Sequence, residues 1–227
     1  MHALPSAEDL LIAHVDDLWV LHKPAFIPTH PGSRRVQTPD LLTLARDLLG
    51  APDTLAPIHR LDKQTSGLVL CSANADLRAA IGEELSQHRV DKSYLAMVYG
   101  HSHTKGIVRT PLEDARRGRP LPAITRYKRL QTFGSCSLLE VRPETGRKHQ
   151  IRRHLQSIRH AIVGDDLYPH HRRIKLPAFP KRLWLHAHRI SIPSLELSFE
   201  APLSQPLQAQ LDLLLELRGS RDDSESP

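Results

Sequence analysis

Short apolar runs separated by polar residues dominate the chain, and this pattern predicts many strands and few helices. The runs Leu10–His14 and Leu18–Lys23 lie on either side of Asp16-Asp17, which predicts two strands joined by a turn. The run Gly67–Ser72 is almost entirely apolar and predicts a buried strand. The remaining predicted strands are Ser93–Gly100, Ala123–Leu130, Ser137–Val141 and the pair Leu183–Ile192 and Leu195–Phe199 around Pro193.

Apolar residues with helical spacing mark four further segments. The first predicted helix is Leu41–Leu49, which ends near Gly50, and the second is capped by Asn74 and extends to about Leu85. The other two are Gly146–Ser157 and Leu207–Leu217. Strands outnumber helices and the two do not alternate regularly. This predicts an α+β fold whose mixed, largely antiparallel sheet is flanked by helices. We expect one domain over residues 1–219 and a polar, disordered tail over residues 220–227.

Composition places the chain among ordinary globular proteins. Hydrophobic residues make up 40% and charged residues 25% of its 227 residues, which excludes a fully disordered chain. No apolar run approaches the roughly 20 residues that cross a bilayer, and the N-terminus carries acidic residues where a secretion signal is positive. The two cysteines, Cys71 and Cys136, are too few for a disulfide scaffold. We therefore expect a cytoplasmic protein without a membrane segment.

Positive charge is concentrated in two stretches of the chain. The formal net charge is +6, but residues 142–189 alone hold twelve Lys and Arg against three Asp and Glu. Residues 105–129 hold eight Lys and Arg against two acids. One basic stretch is commonly a solvated surface, whereas two in one chain favour binding to a phosphate backbone through counterion release. The charge pattern favours a nucleic-acid partner and leaves the solvated surface open.

The segment Ile58–Leu68 carries the most informative group of polar residues. Asp62 lies between Arg60 and Lys63, immediately before the predicted strand Gly67–Ser72. Neighbouring cations favour the ionised carboxylate, which suits a nucleophile or a general base better than a general acid. The same residues are also compatible with a surface salt bridge at the beginning of a strand, so the pattern alone leaves both interpretations open.

This segment resembles a family signature. HRLDKQTSGLVL, at residues 59–70, is similar to the signature H-R-L-D-x-x-T-S-G-[LIV]-[LIV]-[LIV] of the RluA family of RNA pseudouridine synthases. Further segments resemble family motifs in the same order: DLWVLHKP at 17–24, KSYLA at 92–96, TGRKHQIRRH at 145–154 with HAIVGD at 160–165, and LHA at 185–187. Ala161 stands where the family usually has proline. The resemblance extends from about Asp17 to Ser198 and implies the family's catalytic fold.

The resemblance implies catalytic roles for three residues. Asp62 matches the aspartate with which the family breaks the glycosidic bond of a uridine in RNA, before the base is rotated and rejoined through carbon. Tyr94 matches a tyrosine that stacks on the flipped base, and Arg152 matches an arginine that pairs with the aspartate. A tyrosine packed in the core is the alternative for Tyr94. The residues expected to contact RNA are Arg60, His59, Arg147, Lys148, His149 and Arg153.

The implied partner is a structured RNA. A stacked uridine must be extruded before a carboxylate can reach it, which costs on the order of a few kcal/mol. Only 4% of the residues are aromatic, so we expect shape and backbone contacts to hold the RNA. The chain resembles short family members, which act on transfer RNA or ribosomal RNA, and Arg152-Arg153 favours transfer RNA. We expect a monomer.

No cofactor or metal ion is expected. The implied reaction needs neither, and the histidine pairs at 101/103, 170/171 and 186/188 lack a metal-binding pattern with a nearby acid. Two other functions remain open: a non-catalytic RNA-binding protein, and a glycosidase in which Glu113 or Glu140 acts as the second carboxylate. Incubation with uridine-labelled RNA separates the three, because they give isomerisation, binding alone or sugar release.

Overall fold

The computed structural model describes residues 5–30, 39–114, 117–171 and 176–222. The α-helices in these ranges are α1 (Ala7–Leu10), α2 (Leu41–Leu49), α3 (Ala75–Ser86), α4 (Gln150–Ser157) and α5 (Gln205–Asp222). The strands are β1 (Leu11–Val15), β2 (Leu18–Lys23), β3 (Ala56–Pro57), β4 (Ser66–Ser72), β5 (Asp91–Tyr99), β6 (Lys105–Val108), β7 (Leu112–Asp114), β8 (Arg119–Leu121), β9 (Thr125–Phe133), β10 (Cys136–Pro143), β11 (Leu185–Ile192) and β12 (Leu197–Glu200). The predicted α+β class is confirmed.

Two compact units make up the chain, each with its own hydrophobic core. Unit 1 comprises Met1–Lys92 and His186–Pro202, and unit 2 comprises Ser93–Leu185 and Leu203–Pro227. Each unit is therefore built from two separate stretches of the chain. The expectation of a single domain over residues 1–219 stays a prediction.

The strands of unit 1 pair in the order β1-β2-β4-β11, with β12 also paired to β11 and β3 to β4. β4 pairs in parallel with β11 and antiparallel with β2, which gives the mixed sheet that was predicted. Every residue of β4 is buried, as its apolar sequence predicts. The core of unit 1 includes Leu68 and Leu70 from this strand and Ile81 from α3.

Side-chain caps set the beginnings of α2 and α3. The Asp40 carboxylate accepts hydrogen bonds from the backbone N–H groups of Leu42 and Thr43, at 3.0 and 3.2 Å. Gly50 ends α2 in the left-handed conformation, with φ at 66°. Asn74 caps α3 in the same way as Asp40 caps α2. Both helices therefore begin where the sequence predicts them.

The main sheet of unit 2 has the antiparallel order β5-β10-β9-β6, and β7 and β8 form a separate pair. Its core combines residues of these strands with Leu155 from α4 and Leu207 from α5. Trp184 is fully buried, and its indole N–H donates to the side-chain carbonyl of Gln210 at 3.0 Å. The buried Trp184 thus contributes a large apolar surface without leaving its polar group unsatisfied.

The helix predicted over Gly146–Ser157 begins later, at Gln150. His149 adopts a left-handed conformation with φ at 54°, which a right-handed helix cannot include. The Gln150 side chain organises the preceding turn instead. Its carbonyl accepts from the hydroxyl of Thr145 at 2.7 Å and from the backbone N–H of Arg147 at 3.0 Å. The predicted start was wrong because this turn is stabilised by side chains rather than by helical spacing.

Three short strands in the basic stretch, β6, β7 and β8, were not predicted. At the other end of the chain, α5 continues to Asp222, so the first three residues of the expected tail are helical. Residues 223–227 of that tail lie outside the described residues. Among the described helices, none combines the length and apolar character needed to cross a membrane.

Each unit contains one buried cysteine. Cys71 lies in β4 of unit 1, and Cys136 lies in β10 of unit 2. Burial raises the pKa of the Cys71 thiol to about 12 and that of the Cys136 thiol to about 11. Both groups are therefore protonated and unreactive in the folded protein at neutral pH.

Candidate active site

The segment between β3 and β4 carries Asp62, and hydrogen bonds fix its backbone. The Thr29 hydroxyl accepts from the Leu61 backbone N–H at 3.2 Å and donates to the Leu61 carbonyl at 3.3 Å. The backbone N–H of Thr65 donates to the Asp62 carbonyl at 3.0 Å. Thr29, Leu61 and Thr65 are all buried. The backbone on both sides of Asp62 is therefore held in one conformation.

Lys23 adds a second anchor to this segment. It ends β2, its side chain is fully buried, and its ammonium group donates to the carbonyls of Pro24 at 2.8 Å, Ile27 at 2.7 Å and Lys63 at 3.2 Å. These carbonyl dipoles offset the cost of removing the ammonium from water. The sequence places Lys23 in a family-like motif but gives no sign of this anchoring role.

The Asp62 side chain is half-buried, whereas Arg60 and Lys63 are exposed. Asp62 therefore stands on a fixed backbone, four residues before the buried strand β4. Its catalytic role stays a prediction at this point.

His59 has a structural role that sequence reasoning missed. The ring is half-buried, and its Nε2 atom accepts a hydrogen bond from the backbone N–H of Leu70 at 3.1 Å. Burial, with a smaller contribution from the charge of Lys92, lowers the pKa of His59 to about 4. The ring is neutral at pH 7, as the accepted hydrogen bond requires. Contact of His59 with RNA stays a prediction.

Arg152 lies in α4 of unit 2 and forms a buried ion pair with Asp165. Its Nε and Nη2 atoms donate to the two carboxylate oxygens at 2.8 and 2.7 Å. The exposed fractions of the two side chains are 2% and 0%. The guanidinium also lies 5.3 Å from the ring centre of Tyr168, within the range of a cation–π contact. Asp165 thus fixes the plane of the guanidinium through two parallel hydrogen bonds.

Asp165 also shapes the turn that follows it. Its Oδ1 atom accepts from the backbone N–H groups of Leu167 at 3.0 Å and Tyr168 at 2.9 Å. The Tyr168 hydroxyl in turn lies 3.1 Å from Nδ1 of His149. Sequence reasoning assigned no role to Asp165 or Tyr168. The one available signal was that Asp165 ends the family-like string HAIVGD.

Tyr94 lies on β5 directly opposite Val141. Its side chain is half-buried and packs against the core of unit 2. The core contact is the alternative that the sequence left open for this tyrosine. Its stacking on a base stays a prediction.

Two of the other RNA-contact candidates have structural hydrogen bonds within unit 2. The Arg147 guanidinium donates to the Pro122 carbonyl at 3.1 Å, and the Arg153 guanidinium donates to the Glu113 carbonyl at 3.0 Å. Lys148 is exposed. These bonds give Arg147 and Arg153 local partners and do not test contact with RNA.

The candidates are distributed over both units. Unit 1 contains His59, Arg60 and Asp62, and unit 2 contains Tyr94, Arg147, Lys148, His149, Arg152 and Arg153. In the described parts of the chain, no group of three or more His, Cys, Asp and Glu side chains could hold a metal ion.

Comparison with protein-family models matches residues 17–157 to the family described as RNA pseudouridylate synthase. The matched region is more than half of the chain and includes Asp62, Tyr94 and Arg152. The chain belongs to the RluA family of RNA pseudouridine synthases. By family it is an RNA pseudouridine synthase, which is an isomerase.

Curated relatives of this RluA-family chain are named for two kinds of RNA. Ribosomal large subunit pseudouridine synthase D of Zymomonas mobilis is 30% identical over 94% of this chain and 75% of its own length. tRNA pseudouridine synthase C of Haemophilus ducreyi is 32% identical over 76% of this chain and 80% of its own length. Some other relatives are longer, and the chain spans 54% of their length.

Among solved structures, the human protein RNA Pseudouridylate Synthase Domain Containing 4 is similar to this RluA-family chain. The TM-score is 0.75 at 25% identity, and the similarity covers 92% of this chain and 95% of the human one. The predicted pseudouridine synthase fold is therefore confirmed.

Proposed function

We propose that the protein converts specific uridines of transfer RNA or ribosomal RNA to pseudouridine, with Asp62 as the catalytic group and the target base flipped out of its stack. The observation that carries this proposal is the anchored segment at Asp62. Thr29 and Lys23 hold the backbone on either side of the carboxylate through buried hydrogen bonds. Such fixation favours catalysis, because little entropy is lost in orienting the catalytic group at each turnover.

Asp62 acts on the sugar of the flipped uridine. The glycosidic bond between N1 and C1′ breaks, the base rotates and a C5–C1′ bond forms. C5 then loses its hydrogen as a proton and N1 takes up a proton, so the product remains an isomer of uridine. Two routes fit a carboxylate: attack on the anomeric carbon, or removal of the 2′ hydrogen. Both routes use the carboxylate form of Asp62.

Tyr94 and Arg152 complete the proposal. The half-buried Tyr94 ring stacks on the extruded base, which offsets part of the cost of unstacking. Arg152 contributes a positive charge whose orientation Asp165 fixes through two hydrogen bonds. Its pairing with Asp62, implied by the family resemblance, stays a prediction.

The substitution Asp62→Asn tests the catalytic assignment. It preserves side-chain size but removes the nucleophilic carboxylate, so we expect pseudouridine formation to fall by roughly a thousandfold or more while RNA affinity changes little. Asp53→Asn is the matched control, because the Asp53 side chain is 99% exposed in the same unit. Loss of C5-bound tritium from labelled RNA measures turnover. Turnover in Asp62→Asn near that of the control would contradict the assignment.

The target RNA is a separate question, because the relatives are named for both ribosomal and transfer RNA. The double arginine Arg152-Arg153 favours transfer RNA. Mapping pseudouridines in total RNA from a strain that lacks the gene identifies the modified positions. We expect restoration by the wild-type gene and no restoration by the Asp62→Asn gene.

A further inference from the structure

The register of the unit 2 sheet shows which side chains share each of its faces, because directly opposite residues point to the same side. On one face, Tyr94 lies opposite Val141, and Val141 lies opposite Tyr127. These three residues belong to the core of unit 2 or pack against it. Residues one position away along each strand point to the other face of the sheet.

That other face carries four exposed cations. Lys128 on β9 lies directly opposite Lys105 on the edge strand β6. Arg126, two residues earlier on β9, lies directly opposite Arg142 on β10. All four residues are exposed, and none has a role in the proposed chemistry. We call Lys105, Arg126, Lys128 and Arg142 the basic strip.

Two carboxylates beside the basic strip offset half of its charge. Glu140 accepts a hydrogen bond from Arg142 at 2.9 Å, and Glu144 forms an ion pair with Arg126. Among the described residues, no carboxylate forms an ion pair with Lys105 or Lys128. Glu140 also lies directly opposite Lys128 in the pairing of β10 with β9. Four cations beside two carboxylates leave the strip with an excess of positive charge.

Like charges directly opposite one another destabilise an antiparallel sheet. Neutral polar residues could face solvent at the same positions without this repulsion, so the fold of unit 2 does not require the four cations. An anionic partner would remove the repulsion and release counterions from its own phosphates. We propose that the basic strip binds phosphates of the RNA backbone, on the face of the unit 2 sheet opposite to Tyr94.

This inference rests on the proposed function for the identity of the polyanion and extends it to a second contact surface. RNA at the basic strip lies away from the base that stacks on Tyr94, since the two are on opposite faces of one sheet. The strip therefore contributes to affinity for large RNA without contacting the reacting uridine. The strip does not distinguish one RNA sequence from another, because contacts of Lys and Arg with phosphates do not depend directly on the bases.

The double variant Lys105→Gln/Lys128→Gln tests the proposal. Its matched control is Arg89→Gln/Arg189→Gln, which removes two exposed cations from unit 1. Affinities for unfractionated transfer RNA and for total ribosomal RNA are measured against salt concentration. Two lost phosphate contacts lower the slope of log K against log salt by about 1.5 to 2 and the affinity by roughly tenfold or more at 0.1 M salt. The control is expected to keep both values near those of the wild type.

Three results would overturn the proposal. The first is an unchanged salt slope for both RNAs in the strip variant, and the second is an equal loss in the control, which would indicate net charge alone. The third is unchanged RNA binding together with lost binding of poly-glutamate, which would assign the strip to an acidic protein. A thermal midpoint at or above that of the wild type shows that the variant folds.

Failure of the proposed function is distinguishable from failure of this inference. In one outcome, the salt slope of RNA binding depends on Lys105 and Lys128, but the wild-type protein forms no pseudouridine in any RNA. This outcome contradicts the proposed function and supports RNA binding at the strip. Full turnover together with an unchanged salt slope in the strip variant supports the function and contradicts the strip.

Discussion

Arg152 shows how a single buried charge organises its surroundings. A guanidinium removed from water loses several kcal/mol of hydration, which is offset only by a partner with good geometry. Asp165 supplies that partner through two hydrogen bonds and also holds the turn that brings Tyr168 to the guanidinium. Asp165 is therefore a positioning residue for Arg152.

The substitution Asp165→Asn replaces the buried carboxylate that accepts two hydrogen bonds from Arg152, while the side-chain volume is preserved. We expect the free energy of unfolding to fall by about 3 kcal/mol. The control is Asp166→Asn, which removes a second, 64% exposed carboxylate that lies 3.7 Å from the same guanidinium. Because this ion pair is exposed to solvent, the control should lower the free energy of unfolding by less than about 1 kcal/mol. Urea denaturation measures both. Equal effects of the two substitutions would contradict the positioning role of Asp165.

His59 makes stability depend on pH. Its pKa lies at about 4 in the folded protein and near 6.5 when unfolded, so protonation favours the unfolded state. Its contribution is complete above about pH 6.5 and is lost as pH falls toward 4, by about 3 kcal/mol in total. In His59→Gln, whose side-chain carbonyl can still accept from Leu70, the loss of stability between pH 7 and 4.5 should be smaller by about 2 kcal/mol. An identical pH dependence in variant and wild type would refute this.

Residue roles could be predicted from the sequence only where a motif carries them. Asp62, Tyr94 and Arg152 stand in family-like strings, and the family is confirmed. Asp165 pairs with a residue thirteen positions away because α4 and the following turn pack together, and no spacing rule reports such a contact. His59 also stands in a family-like string, which gives no sign that its ring accepts a backbone hydrogen bond from Leu70.

At the scale of the elements, the parallel pairing of strands β4 and β11 depends on one glycine. Gly67 has φ at 112°, and a β-carbon there would lie 2.7 Å from the backbone nitrogen of Ala187 and closer still to its carbonyl oxygen. Gly67 lies directly opposite Ala187 in the parallel pairing. The close approach of these two backbones explains why the second residue of β4 has no side chain.

We expect Gly67→Ala to lower the free energy of unfolding by about 3 kcal/mol or more, because both the backbone conformation and the spacing of the strands must change. Gly82→Ala is the matched control. Gly82 lies in α3 with nothing near its missing β-carbon, so alanine should stabilise the protein by about 1 kcal/mol. Thermal denaturation of both variants measures the contrast. A stable Gly67→Ala protein would show that β4 and β11 can separate without cost.

Elements were predictable where a long run or a cap marks them. β4 and α2 follow from continuous apolar residues and from Asp40 and Gly50. The strands β6, β7 and β8 have only three or four residues each and include charged ones, so local pattern does not reveal them. The start of α4 was wrong because the left-handed His149 depends on the Gln150 hydrogen bonds rather than on hydrophobic spacing.

For the molecule as a whole, the uneven distribution of charge matters more for RNA binding than the formal net charge of +6. Both basic stretches lie largely in unit 2, and acids predominate in the rest of the chain. Association with RNA should therefore depend strongly on salt. This dependence was foreseeable from the sequence, whereas the placement of four cations on the sheet face opposite to Tyr94 required the strand register.

We expect the affinity of the wild-type protein for unfractionated transfer RNA to fall by roughly a hundredfold between 50 and 200 mM salt, as for about four phosphate contacts. Filter binding at several salt concentrations gives the slope. A fall of less than about threefold would exclude an interface dominated by phosphate contacts.

The two buried cysteines provide built-in reporters of unfolding. A thiol-specific label reaches Cys71 only when β4 opens and Cys136 only when β10 opens, since both side chains are fully enclosed. Peptide masses distinguish the two labelled sites. Labelling at graded denaturant would therefore show, without any engineered probe, whether both halves of the protein lose their structure in one step or in sequence.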